Sequence, residues 1–109
     1  MQQSVREELG NVIVSFDGEI DLEHSPQARR TLLDSVARAR CGVIVDLGAV
    51  RYVDSSGIAS LVEAYQKARQ RGTRFVLATV HPQVLRVLEL SRLDKVFPIH
   101  ATVEEGLGG

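Results

Sequence analysis

The sequence predicts an α/β protein: one mixed, mostly parallel sheet of about five strands with about four helices, in the order β-β-α-β-α-β-α-β-α. Three observations carry this. Val43-Ile44-Val45-Asp46-Leu47 is a near-continuous apolar run, as a parallel strand buried on both faces requires. Segments with apolar residues at helical spacing separate this run from two later strand-like segments. Two short apolar segments at the start flank Gly10-Asn11, a pair that favours tight reversal and so adds an antiparallel strand. Regular alternation of strand and helix implies right-handed crossovers between parallel strands.

The elements follow in order. Val5 to Leu9 and Val12 to Phe16 form the opening hairpin, and Gly18-Glu19-Ile20-Asp21 is a short polar connection. Ser25-Pro26 reads as an N-cap with proline at the first helical position. Ala28, Leu32, Leu33, Val36 and Ala37 then form the inner face of the first helix, and Gly42 stops it. After Val43 to Leu47, a second helix runs from Ile58 to Arg71 with Ile58, Leu61, Val62, Tyr65 and Ala68 inward, and Gly72 ends it. Arg74 to Ala78 is the next strand. His81-Pro82 opens a third helix that buries Val84, Leu85, Val87 and Leu88 and ends near Leu90-Ser91. Lys95 to Ile99 is a short last strand, where Pro98 marks a strand end or sheet edge. Thr102-Val103-Glu104-Glu105 fits a capping box and starts a terminal helix, and Gly108-Gly109 should fray.

Composition narrows the function classes. The 109 residues fit one domain spanning positions 1–109, large enough to bury a core. A net charge of −1 without a basic block argues against nucleic-acid binding by bulk electrostatics. No apolar run is long enough to insert into a membrane, and the polar start, Met1 to Glu8, lacks the apolar stretch of a secretory signal. A single cysteine, Cys41, forms no internal disulfide and suits a reducing compartment. Together these predict a cytoplasmic protein; the sequence leaves oligomeric state open, and a monomer is expected when free. His24, His81 and His100 show no metal-ligand spacing, so loop and cap roles are expected for them, with neither metal nor cofactor.

Chemistry concentrates in Tyr52-Val53-Asp54-Ser55-Ser56-Gly57-Ile58, which lies between a strand and a helix. Two hydroxyls there face unpaired amide groups and the positive end of the helix dipole, a setting that favours an added phosphate. The local sequence also supports a plain structural reading, in which Ser55 or Ser56 caps the helix, Asp54 holds the loop by Asx-type hydrogen bonds, and Gly57 permits close backbone approach. A hydrolase reading, with Ser55 or Ser56 as nucleophile and Asp94 and His100 as partners, fails because Val53 replaces the glycine a nucleophile elbow needs. A phosphorelay receiver reading would use Asp46 near a strand end, but Asp17 and Glu19 supply a magnesium cluster poorly and Lys95 is misplaced.

These segments resemble the STAS domain family (sulfate transporter and anti-sigma factor antagonist), and within it the single-domain anti-sigma factor antagonists. Gly18 to Asp21 resembles the acidic turn, Val43 to Leu47 with Val53 to Ile58 the strand and phosphorylation loop, Phe75 to Leu90-Ser91 the next strand and helix, and Leu93 to Phe97 the segment before the last helix. The likeness spans about Val12 to Leu107. Arg92 departs from it, standing where many relatives carry glycine. The resemblance implies that Ser55 is the phosphoacceptor within a loop that includes Asp54, Ser56 and Gly57. It implies a partner surface formed by Asp21, Glu19, Ser55 and Ile58. It further implies an anti-sigma factor that is itself a serine kinase, bound only by the unphosphorylated form, and a serine phosphatase that resets the cycle. No enzymatic activity is implied. Other members are binding modules of stress-signalling or lipid-transport ATPase assemblies, which would keep the fold without phosphorylation.

Overall fold

The computed structural model describes residues 1–108 of the chain; Gly109, half of the expected frayed end, lies outside the described residues. The elements are β1 (Gln2–Glu8), β2 (Asn11–Ile20), α1 (Ser25–Arg38), β3 (Gly42–Val53), α2 (Ser55–Arg71), β4 (Arg74–Ala78), α3 (Pro82–Leu90), a single 3-10 turn (Leu93–Lys95), β5 (Ile99–His100) and α4 (Val103–Gly108). The sheet order is β1-β2-β3-β4-β5, with β1 antiparallel to β2 and every later pair parallel. This is the mixed five-stranded, four-helix architecture that the alternation predicts.

Side-chain alternation along the strands splits the interior in two. Val12, Val14 and Phe16 of β2, Val43, Val45 and Leu47 of β3, and Phe75 and Leu77 of β4 face α1, α2 and α3. There they meet Ala28, Leu32 and Val36 of α1, Leu61, Ala64 and Ala68 of α2, and Val84 and Leu88 of α3. The intervening residues Ile13, Ile44, Val76 and Ala78 meet α4 through Val103 on the other face. Strands buried on both faces have no polar side to alternate, which is why β3 and β4 read as apolar runs. Tyr65, Phe75 and Phe97 close one end of the main core, with ring centroids 5.3–6.2 Å apart. Packing of this kind adds an edge-to-face term to burial.

Several boundaries differ from the expectation. The hairpin turn is Leu9-Gly10, not Gly10-Asn11: both turn residues have positive φ (55° and 82°), as a two-residue reversal matching strand twist requires. Gly18 to Ile20 belongs to β2, because the ladder to β3 continues through two register shifts and holds the segment extended. Helix α1 starts at Ser25 with His24 as N-cap; Ser25 is buried and does not cap. The helix ends at Ala39, and Gly42 is the first residue of β3, packed so closely that a Cβ there would stand 2.8 Å from Arg74 Cβ. The last strand is only Ile99–His100, since Leu93 to Lys95 coil into the 3-10 turn instead of extending. Gly72, as expected, closes α2 in the left-handed conformation, its amide donating to the Ala68 and Arg69 carbonyls. In α4, Thr102 Oγ1 accepts from the Glu105 amide (3.1 Å) while Glu105 reaches back to the Ala101 amide (3.2 Å), a near-complete capping box.

Arg92 adopts φ 60°, ψ 19°, the conformation that glycine adopts freely. The turn after α3 therefore keeps its geometry with a side chain that opposes it. Left-handed backbone costs an L-residue about 1–2 kcal/mol, partly offset by the extra unfolded-state freedom of glycine. Arg92→Gly should raise unfolding free energy by about 0.5–1 kcal/mol in denaturant titration; a loss of stability would show that the Arg92 side chain contributes a contact outweighing the strain.

Candidate functional site

The site forms where β2 and β3 end side by side. Their ladder closes with Ile20 opposite Val53, after the two register shifts that place extra residues on β3. Asp21 and Asp54 are the next residues on adjacent parallel strands, at the carboxyl edge of the sheet. Segments about thirty positions apart are thereby brought together, and the Asp54 amide donates to the Ile20 carbonyl (3.3 Å).

Asp54 organises this corner. Its extended backbone (φ −95°, ψ −172°) stops β3 and caps α2. Oδ1 accepts from the Ser56 amide (2.9 Å), the Gly57 amide (3.1 Å) and the Ser56 hydroxyl (2.5 Å). Oδ2 accepts from the Leu22 amide (3.0 Å), tying the loop after β2 to the helix start. The expectation that a serine hydroxyl caps α2 is thus corrected: the carboxylate, with two acceptor oxygens, takes the role, and the helix begins at Ser55 instead of Ile58. Tyr52 and Val53 likewise belong to β3 and not to the turn. The Ser56 hydroxyl, followed by the Gly57, Ser56 and Leu22 amides, holds the Asp54 carboxyl below its ordinary value of 3.8, against an opposing push from burial.

Gly57 fixes how closely α2 sits. A Cβ there would lie 2.4 Å from the Ile20 carbonyl oxygen and 2.7 Å from Val53 Cγ1. Backbone and a β-branched side chain block that space, so the first turn of α2 can rest on the two strand ends only with glycine at this position.

The two serines differ sharply. Ser55 is the first residue of α2 and is exposed, and its hydroxyl donates to no partner among the described residues. Ser56 is half-buried, its hydroxyl spent on Asp54 and its carbonyl accepting from the buried Ser60 hydroxyl (3.1 Å). One hydroxyl is available at the positive end of a 17-residue helix, and the other is structural.

Asp21 is half-buried and turned toward α1. Its Oδ1 accepts from the His24 amide (3.0 Å) and lies 2.7 Å from His24 Nδ1. Burial acts to raise its carboxyl, but the His24 amide, ring and charge together bring it below the ordinary 3.8. Glu19 is exposed on β2 opposite Tyr52. Ile58 is half-buried, packed against the main core with its remaining surface open, and its amide donates to the Asp54 carbonyl (2.9 Å). Two further residues stand on the segments that meet here: Tyr52, the first residue of the stretch singled out in the sequence, and Leu22, which the sequence did not single out. Leu22 is 76% exposed and Tyr52 50% exposed, both large apolar side chains. An isolated leucine between Asp21 and Glu23 was the available signal, but a single apolar residue in a polar loop is common.

Several other chemistry-bearing groups are structurally committed. Asp46 lies within β3, not near its end as a receiver would need, and accepts from the Gly48 amide (3.0 Å) and the Thr79 hydroxyl. Thr79 holds a positive φ of 53° between that bond and its amide's bond to the His100 carbonyl (3.1 Å). His24 and His81 stand at helix N-caps, and His81 Nδ1 accepts from the Gln83 amide (3.1 Å). Asp21, Glu23 and His24 place donor atoms within 4.8 Å of one another, but Asp21 Oδ1 is already engaged by His24. Cys41 is exposed and free. Among the described residues, no helix is long and apolar enough to cross a membrane.

A single mixed sheet, covered by helices on both faces, whose second and third strands deliver an acidic turn and an Asp-Ser-Ser-Gly helix start defines a class, and the comparison with known families agrees. The STAS domain model matches residues 2–106, so the chain belongs to the STAS domain family. Among relatives, it is 29% identical over 101 residues to the anti-sigma F factor antagonist of Paenibacillus polymyxa, covering 92% of this chain and 86% of that one. It is 31% identical over 84 residues to the anti-sigma-B factor antagonist of Listeria monocytogenes, covering 75% and 72%. The crystal structure of an anti-sigma factor antagonist from Mycobacterium paratuberculosis superposes with a TM-score of 0.88 at 29% identity, over 98% of this chain and 91% of that one.

Two outcomes follow. Gly57→Ala should destabilise the fold by about 2 kcal/mol or more, because the new methyl overlaps fixed backbone; an unchanged unfolding midpoint would contradict the close approach. The Asp54 carboxyl is lowered in the folded state, so its contribution is full above the unfolded value near 3.8 and is lost as pH falls through the lower folded value. Asp54→Asn should flatten the acid limb of the stability–pH curve in that window, and an acid limb identical to that of the unsubstituted protein would refute this.

Proposed function

We propose that this chain is an anti-sigma factor antagonist switched by phosphorylation of Ser55. The unphosphorylated form binds an anti-sigma factor that is also an ATP-dependent serine kinase, and so frees a sigma factor for transcription in the cytoplasm. Phosphorylation releases the kinase, and a serine phosphatase restores the binding form. The chain acts by docking and supplies no catalytic groups of its own. The names of the relatives support the class, and one observation carries the site: Ser55 is the exposed, unpartnered hydroxyl of the pair, whereas Ser56 is bound to Asp54.

The physics of the switch is local. A phosphate adds roughly −1.5 to −2 charges at pH 7. Asp54 adjoins Ser55, and Asp21 and Glu19 flank the corner, so a modest acidic surface becomes a strongly acidic one. Helix amides offset part of this charge within the chain, but a partner closed over Ser55 must desolvate the remainder. Like-charge juxtaposition can cost several kcal/mol, which converts to a loss of affinity above about a hundredfold. No change of fold is required.

With a purified anti-sigma factor kinase, Ser55→Ala should retain binding and resist phosphorylation, while Ser55→Asp should bind at least about tenfold more weakly than Ser55→Ala, an aspartate carrying less charge than a phosphate. Equal affinities of the two variants in calorimetry would contradict the charge-based switch.

A further inference from the structure

We propose that the free edge of β1 pairs with the same edge of a second copy of this chain, giving a two-fold antiparallel dimer centred on Val5. Strand β1 is an edge strand seven residues long, exposed along its whole length, and its register with β2 runs without a bulge from Gln2 to Glu8. It contains no proline. A long regular edge of this kind presents a row of unused main-chain donors and acceptors, a ready template for another strand. The opposite edge offers nothing comparable, since β5 has two residues and follows Pro98.

The register is set by the hairpin. The two-residue turn makes Glu8 and Asn11 a pair that exchanges hydrogen bonds, and alternation along β1 then turns the amides and carbonyls of Gln3, Val5 and Glu7 outward. A two-fold axis at Val5 uses all of these groups and pairs the whole strand: Val5 with Val5, Ser4 with Arg6, Gln3 with Glu7, and Gln2 with Glu8. In this register no charge faces a like charge. An axis at Arg6 or Glu7 sets identical charges opposite one another, which is destabilising, and an axis at Ser4 or Gln3 pairs fewer residues. The charges that usually guard an edge are also partly neutralised within the chain, with Arg6 Nε 3.7 Å from Glu8 and Glu7 3.8 Å from Arg38. Val5, 38% exposed, gains an apolar contact at the axis. The sequence alone predicts a free monomer; the length and charge pattern of this edge point instead to self-association, with the loops after β2 and β3 left outside the strand pairing.

Light scattering on the full chain between about 1 μM and about 1 mM tests this, a range that spans weak to moderate association. The mass should rise from 12.0 kDa toward twice that value. In the same samples the amides of Gln3, Val5 and Glu7 should exchange more slowly at high concentration. Val5→Lys places two like charges at the axis only in the dimer and should weaken association several-fold. Val5→Pro removes the outward amide without touching the β2 ladder and should weaken it more than about tenfold. A single-chain mass throughout, concentration-independent exchange at those amides, or a dimer unmoved by both substitutions would overturn the proposal.

Discussion

The corner where the sheet meets α2 depends on one carboxylate. Asp54 ends β3, caps α2 and holds the loop after β2, all with two oxygen atoms. Without it, four donors, the Ser56, Gly57 and Leu22 amides and the Ser56 hydroxyl, would need other partners at a point where two strands and a helix converge. Because Asp54 meets these demands, the neighbouring Ser55 has no structural task. Its availability follows from the division of labour between adjacent residues and not from an absence of structure around it.

Gly57 makes that division possible. The helix start sits against the Ile20 carbonyl at a separation no side chain tolerates, so the Asp54 carboxylate reaches amides on both loops. The aligned ends of β2 and β3 bring in Asp21 and Glu19; Tyr52, opposite Glu19, and Leu22, which follows Asp21, are both exposed. On the proposed reading, a change of charge at Ser55 acts on this corner without any change of fold.

Much of this was legible in the sequence. Continuous apolar strands and helical periodicity gave the element order, because strands buried on both faces and amphipathic helices leave different patterns. The Asp-Ser-Ser-Gly segment marked the strand-to-helix corner, and Gly72 marked a helix end by its conformation. What the sequence did not reveal depended on non-local bonding. The extension of β2 through Gly18 to Ile20 needs the β3 ladder, and the choice of Asp54 over the serines as cap needs the approach that Gly57 allows. Arg92 in a left-handed conformation shows the fold imposing a geometry that its local sequence opposes.

The central claim is that Ser55, and not its neighbour, is the group a kinase can reach. The most direct measurement is fragment-level site mapping by mass spectrometry after incubation with ATP and a cognate anti-sigma factor kinase. The account predicts a single acid-stable phosphate on Ser55. A phosphate on Ser56, or at a residue outside Asp54 to Gly57, would contradict it.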